Sequence, residues 1–175
     1  MPFTPYHMGL GAAIKAVLGK HFSLMTFGLA QFVMDIEALV HILRDDPVHH
    51  GLVHSYPGAT LVAVPLTLLG RRLLGGLLRA LRSDSEPGAP RRYRFISPPS
   101  RTAACSGAFL GTYSHVFLDS IVHSDMQPWV PLSEANGLLH LIPQRWILLL
   151  CIGLGIAGTV SMLLASYSDK GRHGA

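Results

Sequence analysis

The stretch WILLLCIGLGIAGTVSMLLAS, residues 146–166, contains 21 residues without one charged side chain. At about 1.5 Å per residue, a helix of this length covers the roughly 30 Å hydrocarbon core of a bilayer. Its glycines at positions 153, 155 and 158 are typical of helices that pack closely in lipid. The stretch therefore predicts a membrane-spanning helix and makes lipid the main solvent of the fold.

Three further stretches predict spans of similar length, at about residues 22–43, 58–78 and 103–123, the second of them broken by Arg71 and Arg72. A shorter segment at about 7–19 is either a tilted span or an interfacial helix. Only 14% of the 175 residues are charged and 49% are hydrophobic, whereas soluble domains carry about 25% charge. We predict one all-α domain, residues 1–175, folded as a polytopic membrane helical bundle of four to five spans.

The basic residues orient this bundle. Eight of the eleven arginines lie between Arg71 and Arg101, and such clusters usually mark cytoplasmic loops. Residues 83–101 are therefore predicted to form an exposed cytoplasmic loop, and residues 167–175 a cytoplasmic tail. Nucleic-acid binding is the rival interpretation of a basic stretch, but only Tyr93 and Phe95 interleave with these arginines. The predicted partner is the lipid bilayer, with no nucleic acid.

With this orientation, imidazoles and carboxylates from four distant stretches fall on the outer side of the membrane. Asp35 and His115 each lie eight residues before the outer end of their predicted helix, at a depth of roughly 12 Å. An ionisable side chain within the bilayer costs a few kcal/mol. A divalent cation shared by several of them would offset that cost, so the pattern predicts a metal site.

The motif His115-x-x-x-Asp119 is the sharpest sign of such a site. Residues four apart share one helical face, and imidazole with carboxylate suits Zn²⁺, and also Mn²⁺ or Fe²⁺. A hydrogen-bonded His–Asp pair that only stabilises the bundle is the alternative. His123 continues the same face, and Asp125 follows just beyond it.

The remaining candidates come from the other stretches. Asp35 and Glu37 diverge by about 200° around a helix, so the deeper Asp35 is the predicted ligand. Glu37 and Asp125 are candidate general bases. His50 and His54 are four apart in the loop after the second span; the alternative is a solvated loop that happens to be rich in His. Ser55 after them is a candidate helix cap. The predicted metal ligands are His7, Asp35, His50, His54, His115, Asp119 and His123.

Four motifs carry a resemblance that covers most of the chain. They are PFTPYHMG (2–9), FGLAQFVMDIE (27–37), HHGLVHS (49–55) and GTYSHVFLDSIVHSDMQPW (111–129). In their order and spacing the chain resembles a bacterial inner-membrane family of membrane-bound metal-dependent hydrolases. The resemblance implies a multi-pass protein of the inner membrane with a metal-dependent hydrolytic site.

A fainter similarity links the chain to zinc-dependent phospholipase C and the related single-strand nucleases, helical enzymes that also place HxxxD within one helix. It implies five metal ligands, namely His7, Asp35, His54, His115 and Asp119. Those enzymes carry a further His six residues after the motif Asp, where this chain has Asp125. The number of metal ions therefore stays open.

Together these features predict a hydrolase with one or more divalent metal ions, Zn²⁺ foremost, whose site faces the periplasm and acts on a phosphoester or lipid-linked substrate. A transporter for ions or protons is an alternative, since intramembrane His and Asp also mark ion pathways. It is disfavoured because residues 23–33 and 103–111 carry no charge. A non-catalytic membrane protein with a structural metal is the third possibility.

Overall fold

The structure is a computed structural model that describes residues 4–82 and 98–172. These residues contain no β-strand, and five helices account for most of them, so the all-α prediction is confirmed. Two short 3-10 turns lie between helices: Gly19–His21 follows the first helix and Leu52–His54 precedes the third. The helices are α1 (Thr4–Leu18), α2 (Leu24–Leu43), α3 (Tyr56–Arg82), α4 (Arg101–Val122) and α5 (Gln144–Arg172).

Serine caps begin three of the helices. The hydroxyl of Ser23 accepts from the backbone N–H of Thr26, and that of Ser100 accepts from Ala103. The hydroxyl of Ser55 accepts from the N–H of Gly58 at 3.1 Å, as the sequence predicted. Each of these bonds satisfies a backbone donor that has no partner within the helix.

Three boundaries differ from the predicted ones. Helix α3 runs unbroken through Arg71 and Arg72, because Arg has a high helix propensity and its charge interrupts hydrophobicity rather than backbone hydrogen bonding. Arg101, assigned to the loop, is the first residue of α4. The predicted tail begins as helix, since α5 continues to Arg172. Residues 83–97 of the predicted loop and residues 173–175 lie outside the described residues.

Three of the described helices are long and apolar enough to cross a membrane, over Leu24–Leu43, Tyr56–Gly76 and Gln144–Ser168. Helix α4 has 22 residues, enough for a span, but its polar side chains reduce its hydropathy. It packs against α2 and α3, and twelve of its residues are buried, so its polar groups face protein rather than lipid. Helix α1, with 15 residues, covers only about 22 Å.

Small residues bring α4 against α2. A Cβ on Gly107 would lie 2.5 Å from the carbonyl oxygen of Ser23, and one on Gly111 would lie 2.8 Å from the Cβ of Ala30. Such distances are shorter than side chains tolerate, so the two backbones approach as closely as they do because these positions are glycines. This contact sets the side chains that follow Ala30 on α2 opposite those that follow Gly111 on α4.

One end of the bundle gathers the polar motifs. The first turns of α1 and α3 lie there against the middle of α2 and the second half of α4, and residues 123–143 follow at the same end. The N–H of Tyr56 donates to Pro128 at 2.9 Å, and the N–H of His140 donates to Ile121 at 2.9 Å. We call this the outer end; it lies opposite the Arg-rich end of α3.

Candidate metal centre

The deepest part of the polar cluster joins α1, α2 and α4. Nε2 of His115 lies 3.1 Å from Oδ2 of Asp119, one helical turn away, and 3.5 Å from Oδ1 of Asp35. Nε2 of His7 lies 3.6 Å from Oδ1 of the same Asp119. The His115 side chain is fully buried, and those of His7 and Asp119 are 5% and 8% exposed. Two imidazoles therefore face one buried carboxylate from different helices.

The loop between α2 and α3 adds two more imidazoles. The ring of His54 lies 5.3 Å from that of His115 and 4.9 Å from that of His50, measured between centroids. The ring of His50 in turn lies 4.5 Å from that of His123. His54 is buried although it sits in a short turn. The imidazoles thus form a continuous row from the bundle interior to its outer end.

The structure brings together all seven residues that the sequence singled out as ligands; whether they bind metal stays a prediction. Together with Asp125, their ligand atoms fall into four overlapping groups among the described residues, each with every atom within 4.8 Å of the others. The groups are His7–His115–Asp119, Asp35–His54–His115, His50–His54–Asp119 and His50–His123–Asp125.

Gln31 orients two of these imidazoles and was not predicted from the sequence. Its amide nitrogen donates to the carbonyl of Gly111 at 3.1 Å, which leaves its oxygen to accept. That oxygen lies 3.3 Å from Nδ1 of His7 and also contacts Nδ1 of His115. Both rings therefore direct Nε2 toward Asp119. The available signal was the position of Gln31, four residues before Asp35 and hence on the same face of α2.

Glu37 holds His54 in the corresponding way. Nδ1 of His54 donates to Glu37 Oε2 at 2.9 Å, and the backbone N–H groups of Gly51 and Val53 donate to the two oxygens at 3.2 and 3.1 Å. Both carboxylate oxygens are thus occupied by groups of the α2–α3 loop. Glu37 and Asp35 diverge around α2 as expected, yet both serve the cluster, Asp35 directly and Glu37 through His54.

Asp125 does the same for His50. Its Oδ2 accepts from the backbone N–H of His49 at 2.9 Å and of His50 at 3.1 Å, and its carboxylate lies 2.9 Å from Nδ1 of His50. Glu37 and Asp125, the two predicted general bases, are therefore both acceptors for the ring of a candidate ligand. Ligand histidines in metal sites are typically held in this manner.

Two nitrogens of the cluster lack ordinary partners. Among the described residues, Nε2 of His54 and Nε2 of His115 are buried atoms without a hydrogen bond of acceptable geometry, although Asp119 Oδ2 lies 3.1 Å from that of His115. Because Nδ1 of each ring donates, a neutral imidazole presents an Nε2 lone pair, and that of His115 faces the carboxylates of Asp35 and Asp119. A lone pair opposite two anions is repulsive, so the arrangement calls for a cation between them, either a proton or a metal ion.

His50 and Asp125 lie outside the membrane-spanning helices, and the pKa values of both are shifted by their surroundings. Burial and the neighbouring His54 lower the pKa of His50 below its ordinary value, although Asp125 opposes them. Burial raises the pKa of Asp125, but the hydrogen bonds from His49 and His50 outweigh it and bring that pKa down to about 2. At neutral pH His50 is therefore neutral, as ligation requires, and Asp125 is ionised.

A cavity of about 20 Å³ adjoins the cluster, with His7 and Asp119 in its wall. Apolar residues of α4 and α5, Val122, Ile147 and Leu148, form much of the remainder. A volume of this size holds about one water molecule. The cluster therefore has room for one water molecule beside Asp119.

The family model for the YdjM inner membrane protein matches residues 4–172 of the chain. Comparison with curated proteins and with solved structures gives no significant match.

Proposed function

The chain belongs to the YdjM inner membrane protein family, and from that premise we propose that it is a metal-dependent hydrolase of the bacterial inner membrane. The observation that carries the proposal is the set of imidazole Nε2 atoms, on His7, His54 and His115, grouped with the carboxylates of Asp35 and Asp119. Four separate segments of the chain supply these five side chains. A structural His–Asp pair would need only two of them.

The donor set fits a divalent transition metal. Imidazole nitrogen and carboxylate oxygen are ligands that Zn²⁺ accepts, and Mn²⁺ and Fe²⁺ accept them too. The two orphaned Nε2 atoms supply the lone pairs that such an ion requires. We take Zn²⁺ as the first candidate.

Asp119 favours more than one ion. It belongs to two of the groups, one with His7 and His115 and one with His50 and His54. A carboxylate has two oxygens and can bridge two metals, which in catalytic pairs lie about 3.5–4 Å apart. The further group around His123 and Asp125 lies nearer solvent, and there the Asp125 carboxylate already serves His50.

In the proposed reaction the bound metal would lower the pKa of water toward 7 and polarise a phosphoryl oxygen. The chain itself fixes the ligands in place. Gln31 sets the rings of His7 and His115, Glu37 sets His54, and Asp125 sets His50. We therefore propose that Glu37 and Asp125 are positioning residues instead of the general bases expected from their location.

The position of the cluster suggests its substrate. The outer end of the bundle lies opposite the arginines of α3, which the positive-inside rule assigns to the cytoplasm. The cluster would then face the periplasm, within reach of the outer leaflet. We accordingly propose a phosphoester or lipid-linked substrate.

The inner half of the bundle argues against an ion pathway. Ala30 of α2, Ala63 and Leu66 of α3, and Ala108 of α4 are buried against one another there. A conducting path needs polar groups or water through the full depth, whereas this cluster is apolar and closely packed. This apolar packing separates the polar cluster from the inner end of the bundle and favours a site over a pathway.

The decisive experiment is metal analysis of the purified protein with a matched control. The double variant His115→Ala, Asp119→Ala should lose the metal that the wild-type protein retains. The control is His41→Ala, Asp46→Ala, which removes another His–Asp contact of 2.8 Å outside the four groups and should retain it. Release of phosphate from phosphoesters in vesicles should follow the metal content. A wild-type protein that binds no divalent metal would end the hydrolase proposal.

A further inference from the structure

A long apolar groove runs between α1 and α5 on the membrane-facing side of the bundle. Its volume is about 580 Å³, and its lining includes Tyr6, Met8, Ala12, Leu24, Ile156 and Val160. This volume lies within the range of about 300–1,000 Å³ common for small-ligand pockets. The groove is open along its length, and no charged side chain lines it.

The groove leads to the candidate metal centre. Tyr6 and Cys151 line both the groove and the small cavity whose wall contains His7 and Asp119. From Cys151 to Val160 the α5 backbone advances by about 14 Å, roughly the depth of one leaflet of a bilayer whose hydrocarbon is about 30 Å thick. The end of the groove near Cys151 therefore lies beside the candidate metal centre. The rest of the groove extends along the apolar part of α5.

Glycines allow the close contact between α1 and α5 that forms the floor of the groove. A Cβ on Gly9 would overlap the backbone carbonyl of Cys151, and one on Gly158 would lie 2.5 Å from the backbone of Ala12 and Ala13. Because α1 and α5 contact each other backbone to backbone, their outward side chains flank the groove and do not fill it. Leu24, at the start of α2, lies at its inner end.

We propose that this groove binds one hydrocarbon chain of a lipid whose phosphoester head reaches His7 and Asp119. The inference rests on the proposed hydrolase function and specifies its substrate class. Three observations favour a lipid: the groove lies along a candidate membrane span of α5, its lining is apolar, and it shares Tyr6 and Cys151 with the cavity beside the candidate ligands. A water-soluble phosphoester has no hydrocarbon chain to occupy an apolar groove of this kind.

Photo-crosslinking in vesicles tests the inference without requiring turnover. The full-length protein is placed in phosphatidylcholine vesicles with a trace of phosphatidate that carries a diazirine in one acyl chain, and labelled residues are mapped by mass spectrometry. Labelling of Ile152, Ile156 and Val160 should exceed that of Leu150 and Leu164 severalfold. These two leucines of α5 are 52% and 67% exposed and do not line the groove, so they report bulk lipid.

Two further sets of crosslinking measurements test head-group binding and chain binding in the groove separately. Unlabelled phosphatidate and removal of the metal by chelation should each abolish the excess labelling. Ile156→Trp should reduce labelling of Val160 severalfold, while Leu164→Trp should not. Uniform labelling of α5, or an excess that chelation and unlabelled phosphatidate leave unchanged, would overturn the inference. Saturable, metal-dependent labelling without any phosphate release would support the groove and instead count against hydrolysis.

Discussion

Nδ1 of His54 lies 2.9 Å from Oε2 of Glu37, a contact that ties the turn Leu52–His54 to α2. Because the carboxylate can only accept, the proton sits on Nδ1 and the Nε2 lone pair faces the cluster. We predict that Glu37→Gln weakens metal affinity by about 10–100-fold, because the uncharged amide has one acceptor oxygen for the three N–H groups that donate to the carboxylate. Competition titration with a metal-sensitive dye in detergent measures this change.

Glu134→Gln is the control for that variant, since Glu134 is exposed and distant in the chain from the α2–α3 loop. It should bind metal as the wild type does. If Glu37→Gln left the affinity unchanged while His54→Ala reduced it, Glu37 would have no positioning role.

Gln31 provides a second, independent test, because one amide oxygen serves both His7 and His115. We predict that Gln31→Leu reduces metal affinity by tenfold or more, since it removes the acceptor for both rings at once. Gln31→Glu keeps the shape and the acceptor but loses the N–H donor to Gly111, so it should restore part of the affinity. Equal loss in both variants would indicate that the donor to Gly111 matters and the acceptor oxygen does not.

The sequence predicted the helices well because hydrophobic length fixes membrane spans. Helix α2 ends at Leu43 as expected, and α4 begins and ends within two residues of the predicted limits. The sequence also singled out His115, Asp119 and Asp35 as candidates, because ionisable side chains inside an apolar stretch are costly and therefore conspicuous. An uncharged Gln31 carries a much weaker signal, so its role emerged only from the packing of α2 on α4.

The roles of Glu37 and Asp125 could not be read from spacing. Each binds a histidine in the α2–α3 loop, 17 and 75 residues away in the chain respectively. Helical periodicity relates only residues on one helix, and the path of an irregular loop depends on contacts that form after the helices pack. The same limitation hid the groove, which depends on where α1 meets α5.

Asp125 should matter for stability as well as for metal binding. Its carboxylate accepts two backbone N–H groups and the His50 ring, and a lost hydrogen bond to a charged group costs about 1.5–3 kcal/mol. We predict that Asp125→Asn lowers the melting temperature of the detergent-solubilised protein and weakens metal affinity. His49→Ala, which keeps the backbone N–H, is the control and should change neither. Loss of affinity with an unchanged melting temperature would show that Asp125 does not anchor the loop.

The position of His7 should depend on a glycine two residues further along α1. A methyl group on Gly9 would overlap the carbonyl of Cys151, so Gly9→Ala must push α1 away from α5. We predict a lower melting temperature and weaker metal binding, because His7 moves with the helix that carries it.

Gly153 of α5 is the matched control, since a Cβ there meets nothing within 4 Å. Replacing a helical glycine by alanine where space allows stabilises a helix by about 0.5–1 kcal/mol, so Gly153→Ala should melt at the same temperature or higher and retain its metal. The two variants make the same chemical change, and only the packing of α1 on α5 distinguishes them. If Gly9→Ala kept both its stability and its metal, the backbone contact between these helices would not be what holds His7 in the cluster.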